Sequence, residues 1–344
     1  MSAIFSMLGP QGWGSYQRES ERWERVDAST TDTFIPGFVD IHIHGAFGID
    51  FMSASKEEMV QLADQLHGLG YSAFYPTTVT ATANDVRAAL SNLPEHPMIP
   101  GFHLEGPFIS PEYPGAQPPE CILDYDGHED EWDDILSDPR LKVITLAPER
   151  PGADRLISKL VSQGVRVSYG HTNATFAECQ SGFKIGARHT THTYNAMRPL
   201  HHREAGTVGY ALANPEVRTE LIYDRIHVCR EAAEVLIQAK GPESVIAISD
   251  STLASGLPSG SEVMMWGHAC VMGDKQIRLK SNGALAGSAI TLKDAFQNLA
   301  DDFGIEFAVR ATCYNPRLAL GLPTEENQGL ILNSQWEIID RIAF

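Results

Sequence analysis

Short apolar segments alternate with segments of helical periodicity from residue 36 onward. Such alternation is typical of parallel strands that are connected by helices. Eight segments have the length and composition of buried strands: Phe38–His44, Ala73–Val79, Ile99–Leu104, Leu141–Leu146, Val165–Tyr169, Ala187–His192, Glu220–Tyr223 and Ser244–Ser249. No glycine-rich phosphate-binding motif follows the first segment, as it would in many open sheets, so eight units favour a closed (β/α)8 barrel of the α/β class.

Helices are predicted between many of these strands. Met59, Leu62, Ala63 and Leu66 recur at the spacing that places apolar side chains along one stripe of a helix. Further helices are expected over Asn84–Leu93, Ala153–Ser162, Thr175–Ile185, Glu231–Ala239, Leu292–Phe303 and Phe307–Leu318. The charged segment 18–25 suits a solvated edge strand or a helix, and its sequence does not decide between them.

The charge of the chain restricts its partners. Asp and Glu number 44 against 26 Lys and Arg, which gives a formal net charge of −18. An acidic chain repels phosphate backbones, so nucleic-acid binding is not expected as its main role. No apolar run approaches the roughly 20 residues that a membrane span needs. The five cysteines have no paired spacing, which favours free thiols and a cytoplasmic location.

Polar residues lie at the ends of the predicted strands, which meet at one mouth of a barrel. The first strand contains His42 and His44, two residues apart on one face, which suits chelation of a divalent ion. The alternative is a pair of polar histidines in a turn. Strand three ends in Glu105, which either binds a metal or faces water.

The ends of three later strands add further candidates. His171 and His192 follow strands five and six and are candidate metal ligands, whereas His189 is expected in a supporting or core position. Asp250 follows strand eight, where it suits a general base that activates water and returns the proton to a leaving group. The alternative is an aspartate that caps the next helix.

This series of residues resembles the amidohydrolase superfamily, and longer motifs are similar to the N-acetylglucosamine-6-phosphate deacetylase family. The resemblance runs in order from about Pro36 to Gly321. Its motifs are Pro36–Gly45, His103–Phe108, Gly170–Ala174, His192–Met197 with Arg203-Glu204, Ser249-Asp250, Gly256–Gly260 and Leu285–Ser288.

The resemblance implies roles for individual residues. Glu105, His171 and His192 would bind the main metal, and Asp250 would be the catalytic acid and base. His42 and His44 would belong to a second metal position. The residues implied in substrate binding are Ala116, Gln117, Asn195, Ala196, Arg203, His227, Leu285, Ala286 and Gly287. Arg203 would reach into the partner subunit's site of a homodimer.

The implied reaction is removal of the N-acetyl group from N-acetylglucosamine-6-phosphate, which gives glucosamine-6-phosphate and acetate. Another N-acyl amino-sugar phosphate, such as N-acetylgalactosamine-6-phosphate, is an alternative substrate, and a non-catalytic sugar-phosphate binder is an alternative function. Nitrogen and carboxylate ligands without a thiolate suit one or two Zn²⁺ ions, with Fe²⁺ or Mn²⁺ as alternatives.

The sequence departs from the family pattern at three places. Gln117 stands where the family has a histidine, and Asp224-Arg225 replaces Asp-Gly before His227, which would add a cation near the phosphate. The termini are short. The implied division is therefore a barrel over residues 36–321 and a reduced small β domain formed by residues 1–35 and 322–344.

Overall fold

A closed barrel of eight parallel strands forms the centre of the molecule. The computed structural model describes residues 4–19, 22–324 and 328–343. In chain order the strands are β1 Ile4–Gly9, β2 Gly12–Glu19, β3 Arg22–Arg25, β4 Thr33–Ile35, β5 Phe38–Ile43, β6 Gly45–Ala46, β7 Ile49–Asp50, β8 Tyr71–Pro76, β9 Phe102–Glu105, β10 Leu141–Leu146, β11 Arg166–Tyr169, β12 His189–Thr190, β13 Arg218–Ile222, β14 Val245–Ile248, β15 Glu262–Met265, β16 His268–Met272, β17 Gln276–Leu279, β18 Leu285–Ser288, β19 Gln328–Leu332 and β20 Ile338–Ala343.

Helices surround the barrel and follow most of its strands. They are α1 Lys56–Gly68, α2 Ala83–Ser91, α3 Glu129–Leu136, α4 Ala153–Ser162, α5 Phe176–Ile185, α6 Gly206–Ala213, α7 Arg230–Lys240, α8 Leu292–Phe303, α9 Ile305–Val309 and α10 Asn315–Leu320, with a π-helical segment Arg310–Tyr314 between the last two. The predicted stripe of α1 is buried against the barrel. Ser55 and Glu58 form a capping box that fixes where this helix begins.

The barrel closes through two isolated bridges. Strands β9 to β14 form one parallel sheet in sequence order, and β5 pairs with β8 in parallel. Thr77 at the end of β8 pairs with His103 of β9, and Ile43 of β5 pairs with Ser251 after β14. All eight predicted strands therefore take part, which confirms the predicted fold.

A six-stranded sheet joins the two ends of the chain. Its order is β20-β19-β4-β1-β2-β3, and β19 pairs antiparallel with β4. The charged segment supplies the edge strand β3, where Trp23 is buried and its neighbours are exposed. Trp23 packs against Phe5 and Phe34. The expected small β domain formed by both termini is thus confirmed.

A four-stranded sheet and two helices were not expected from the sequence. Strands β15 to β18 form an antiparallel sheet between β14 and α8, and α3 and α6 lie between barrel strands. Helix α3 contains five acidic residues and buries only Trp132, Ile135 and Leu136, so its apolar stripe is short. Helix α6 is small and almost entirely buried, so it has no polar face to reveal a helical period.

The first barrel strand contains a bulge instead of the strict alternation that its sequence suggests. Its pairing with β8 shifts register between Asp40 and Ile43. Ile41 packs in a small apolar cluster with residues of β8, β13 and β14, whereas Ile43 packs in the main core. Bulges change the direction in which side chains point, and this one lets His42 and His44 face the carboxylates of the site described below.

Among the described helices, none has the length and apolar character of a membrane span.

Candidate metal and active site

Six candidate ligands meet at the carboxyl ends of the barrel strands. His42 belongs to β5 and His44 follows it; Glu105 ends β9; His171, His192 and Asp250 follow β11, β12 and β14 within two residues. All six side chains are buried. Their donor atoms form two groups, His42 with His44 and Asp250, and Glu105 with His171 and His192, and within each group the atoms lie within 4.8 Å of one another.

Glu105 lies between the two groups. Its Oε1 is 3.2 Å from Nε2 of His171 and 3.1 Å from Nε2 of His192. Its Oε2 is 3.2 Å from Nε2 of His44. Oε1 also lies 3.4 Å from Nε2 of His42, so the carboxylate of Glu105 contacts histidines of both groups.

Asp250 lies on the side of the histidine pair of β5. Its Oδ1 is 3.4 Å from Nε2 of His42 and 3.3 Å from Nε2 of His44. The Asp250 backbone N–H donates to the carbonyl of His42 at 3.0 Å, so the two barrel strands fix this approach. Asp250 does not belong to a helix N-cap, because the next helix begins only at Leu292 and is capped by Thr291.

In each of the four histidines, Nε2 faces the carboxylates and Nδ1 contacts an oxygen atom. Nδ1 of His42 lies 3.4 Å from Oε2 of Glu220, and Nδ1 of His44 lies 3.1 Å from the carbonyl oxygen of Thr77. Nδ1 of His171 lies 3.0 Å from the carbonyl oxygen of Tyr113, and Nδ1 of His192 lies 3.2 Å from that of Asn195. Such contacts fix the tautomer that leaves Nε2 free to bind a metal. Glu220, which is fully buried within β13, was not identified from the sequence.

The backbone is strained where three of these side chains leave their strands. His171, His192 and Asp250 have φ values of 48°, 30° and 49°. The left-handed region is unfavourable for residues with a Cβ, and its occupation clusters at functional sites. These turns aim the three side chains across the mouth of the barrel.

The carboxylates and imidazoles shift one another's pKa values. Burial opposes the charge of Glu105, but His42 together with hydrogen bonds from His171 and His192 holds its pKa well below the usual range. Burial also disfavours a charged His44, yet hydrogen bonds to Asp250 and Glu105 raise its pKa to about 9. Burial raises the pKa of the Asp250 carboxyl, but His42 and His44 lower it by a larger amount, so the net shift is downward. The site therefore holds ionised carboxylates and attracts cations.

A cavity of about 140 Å³ opens beside these ligands. Of the residues that the sequence implied in substrate binding, those that line it are Ala116, Gln117, Asn195, Ala196, His227, Leu285 and Gly287. Ala286 is fully buried and does not line it, and Arg203 lies exposed on the loop before α6. The cavity is thus bordered by polar groups on the side of Asn195 and His227.

His227 is held in place by the aspartate three residues before it. Its Nδ1 lies 2.6 Å from Oδ2 of Asp224, whose other oxygen accepts the backbone N–H of His227 at 2.7 Å. Arg225, which the sequence suggested near the phosphate, instead pairs with Asp302 at 2.6 Å and does not line the cavity. His227 is therefore the side chain of this segment that lines the cavity.

Gly115, Ile222 and Trp266 also line the cavity and were not identified as site residues from the sequence. Ile222 ends β13, and Trp266 lies in the tight turn between β15 and β16. The Trp266 ring is 5.1 Å from the His44 ring, and its Nε1 donates to Asp50 at 3.2 Å. Trp266 and Gly267 both have positive φ, as a two-residue hairpin turn requires, so the Trp-Gly pair was the available signal.

A sequence model described as "Amidohydrolase family" matches residues 33–326. The chain belongs to the amidohydrolase family. Enzymes of this family are metal-dependent hydrolases. The donors of Glu105, His171 and His192 fit a divalent metal, because Nδ1 of each histidine already contacts a carbonyl oxygen and Nε2 is left to bind the metal.

Two similar proteins indicate which of the amidohydrolases this chain resembles. The chain is 36% identical to the N-acetylglucosamine-6-phosphate deacetylase of Lysinibacillus sphaericus, over 84% of this chain and 76% of the relative. It is 33% identical to the N-acetylgalactosamine-6-phosphate deacetylase of Escherichia coli O157:H7, over 86% of this chain and 80% of that one. The resemblance found in the sequence motifs is therefore confirmed.

A solved structure supports the same relationship. An alanine variant of N-acetyl-D-glucosamine-6-phosphate deacetylase from Mycobacterium smegmatis, in complex with N-acetyl-D-glucosamine-6-phosphate, aligns with a TM-score of 0.87 at 27% identity. The alignment covers 99% of this chain and 98% of that one. The shared fold thus includes the sheet of the termini as well as the barrel.

Proposed function

We propose that this amidohydrolase removes the N-acetyl group from N-acetylglucosamine-6-phosphate and releases acetate and glucosamine-6-phosphate. The observation that carries the proposal is the position of Asp250 beside the two histidine groups and at the wall of a cavity that His227 and Asn195 also line. An acid and base, a set of metal ligands and groups suited to a phosphate then face one cavity, as hydrolysis of an anionic amide requires.

Glu105, His171 and His192 are proposed to hold the main metal, and His42 with His44 a second position. Zn²⁺ is proposed because the donors are nitrogen and oxygen, with Fe²⁺ or Mn²⁺ as alternatives. When bound, the metal would supply Lewis acidity toward the amide carbonyl and activation of water.

Asp250 is proposed to accept a proton from the attacking water at Oδ1 and to return it to the amine nitrogen as acetate leaves. The lowered pKa of its carboxyl leaves it ionised at neutral pH, as the first step requires. Gln117 and Ala116 would contact the acetyl end of the substrate, and Leu285 and Gly287 the sugar. Asn195, Ala196 and His227 would hold the phosphate.

A homodimer is proposed in which Arg203 completes the phosphate site of the partner subunit. The loop that carries it is exposed, with Leu200 at 57% and His201 stacked on His202. Glu204 accepts the backbone N–H groups of Phe176 and Gly206, so it is engaged within its own chain. Among the described residues, the Arg203 guanidinium has no ion-pair partner, which leaves it able to reach outward.

The division at residues 35 and 321 and a cytoplasmic location are proposed as well. The sheet formed by β1–β4, β19 and β20 supports the division, because the barrel strands all lie between its two halves. Five free cysteines support a reducing compartment.

The proposal is tested by acetate release from three sugars in the presence of Zn²⁺. N-acetylglucosamine-6-phosphate and its galacto epimer are compared with unphosphorylated N-acetylglucosamine, and free amine is measured beside acetate. We expect equal amounts of amine and acetate, and the highest kcat/KM for the gluco phosphate. The Escherichia coli relative makes the galacto phosphate the second candidate. Binding of these sugars without release of acetate would identify a sugar-phosphate binder instead.

A further inference from the structure

A second cavity lies at the opposite end of the barrel from the candidate metal site. Its volume is about 300 Å³, within the range of small-molecule sites. It is bordered by the first residues of β11, β12 and β13, by the end of α4 and by α10, and its lining includes Arg166, Arg188, His189, Arg218 and Leu318. No residue that lines this cavity also lines the first one.

Arg166 and Arg218 are two positively charged residues in the lining of this cavity. Arg166 donates to the carbonyl oxygens of Ala319 and Gly164 at 2.7 and 3.3 Å, and Arg218 donates to that of Glu243 at 3.1 Å. Neither guanidinium forms an ion pair within the described part of the chain. Since each guanidinium has five N–H donors, several donors of the pair remain available to a ligand.

His189 lines the same cavity. It pairs with Arg218 in the register of β12 and β13. Burial lowers the pKa of its imidazole to about 3, and the positive charges of Arg218 and Arg166 contribute to this shift, so both guanidiniums lie near His189.

The charge balance makes this arrangement unusual. The chain carries a net charge of −18, yet these two guanidiniums lie near each other and neither forms an ion pair among the described residues. Burial lowers the pKa of Arg218 and the nearby Arg166 lowers it as well, while Glu243 opposes the shift. Glu216 is the only carboxylate in the lining within the described residues, and it is exposed at the rim. A bound anion would offset the repulsion between two positive charges that are held close together.

We propose that this cavity binds a small phosphate-bearing metabolite through Arg166 and Arg218, with His189 as a further contact. Arginine suits the phosphate group because its planar fork donates paired hydrogen bonds. The volume accommodates an organic part beside the phosphate.

The test measures phosphate binding at this end of the barrel alone. Inorganic phosphate is titrated by equilibrium dialysis into a variant with Arg203→Ala and His227→Ala, which removes two of the side chains proposed to hold phosphate at the first site. We expect about one phosphate per chain in this background. Adding Arg218→Gln should weaken binding at least roughly tenfold, since a charged hydrogen bond is lost.

Two further variants separate electrostatics from folding. Leu318→Glu introduces a carboxylate at a position that is 56% exposed, so it should oppose the anion without disturbing the core, and should also weaken binding at least tenfold. Lys184→Gln removes one exposed positive charge outside the cavity and should leave binding within about twofold. Absence of phosphate binding in the double-variant background, or equal binding after Arg218→Gln and Leu318→Glu, would overturn the proposal.

Discussion

Gln117 donates a hydrogen bond from Nε2 to Oε2 of Glu105 at 2.7 Å. The opposite end of the same amide accepts the backbone N–H of Thr80, also at 2.7 Å, so the orientation of the amide is fixed. The resemblance of the sequence motifs implies a histidine at this position in the family. Gln117 holds the central carboxylate of the site, and its second N–H remains available toward the cavity that it lines.

Gln117→Ala is expected to weaken metal binding by about 10- to 100-fold, the usual cost of losing a residue that orients a ligand. The carboxylate of Glu105 would keep its contacts to the histidines but would lose a neutral donor that fixes its rotamer. Competition with a chelator measures the change. Gln238→Ala, at an exposed position of α7, is the control and should leave the affinity unchanged. Equal affinities for both variants would show that Gln117 does not orient Glu105.

Asp250→Asn is expected to lower kcat for acetate release by at least about a hundredfold, the scale for loss of a general acid and base. The amide is close to the carboxylate in shape, so the circular dichroism spectrum should stay unchanged. Asp154→Asn, at an exposed position in the first turn of α4, is the matched control. Retention of most activity by the Asp250 variant would contradict the proposed role.

The affinity of the metal-free protein for Zn²⁺ should rise with pH. The pKa of His44 is raised to about 9, so its imidazole is protonated at pH 7 and must lose that proton before Nε2 can bind a metal. Each proton displaced makes the affinity rise about tenfold per pH unit below that pKa. Calorimetry in buffers of different ionisation enthalpy should detect proton release at pH 7. A dissociation constant that stays the same between pH 6.5 and 8.5 would be inconsistent with this coupling.

The barrel could be predicted because its strands are continuous apolar segments and its candidate ligands directly follow them. His171, His192 and Asp250 each come within two residues of a strand end, so the fold class brings them together without any knowledge of long-range contacts. Their roles as ligands and catalyst stay predictions, to be tested by the variants above.

Other parts of the site depend on contacts that no local pattern encodes. Gln117 meets Thr80 across 37 residues, and Glu220 meets His42 across 178. Trp266 reaches the cavity from a hairpin whose first strand buries only Met265 and exposes Met264 at 66%, so this strand lacks the buried apolar face that identifies a strand in a sequence. The bulge in β5 likewise follows from pairing with β8 and not from the alternation of its own residues.

Arg203→Ala is expected to raise KM for N-acetylglucosamine-6-phosphate by one to two orders of magnitude, since a hydrogen bond to a charged group contributes about 1.5–3 kcal/mol. The phosphate does not react, so kcat should change little, and activity on the unphosphorylated sugar should barely change. Arg341→Ala, in the sheet of the termini, is a control that removes another exposed guanidinium. Equal losses on both sugars would mean that Arg203 supports the fold and does not bind the phosphate.

Mixed dimers test whether Arg203 acts across the subunit boundary. If it does, a dimer of one Arg203→Ala and one Asp250→Asn protomer carries both lesions in one site, because the altered arginine serves the site that already lacks the acid. The other site is then intact, and activity should return to about half that of the native dimer when each site works independently. If Arg203 instead serves its own protomer, every site carries one lesion and mixing restores nothing. Acetate release from purified heterodimers, prepared with two affinity tags, distinguishes these arrangements, because only an arginine that crosses the interface can regenerate a complete site.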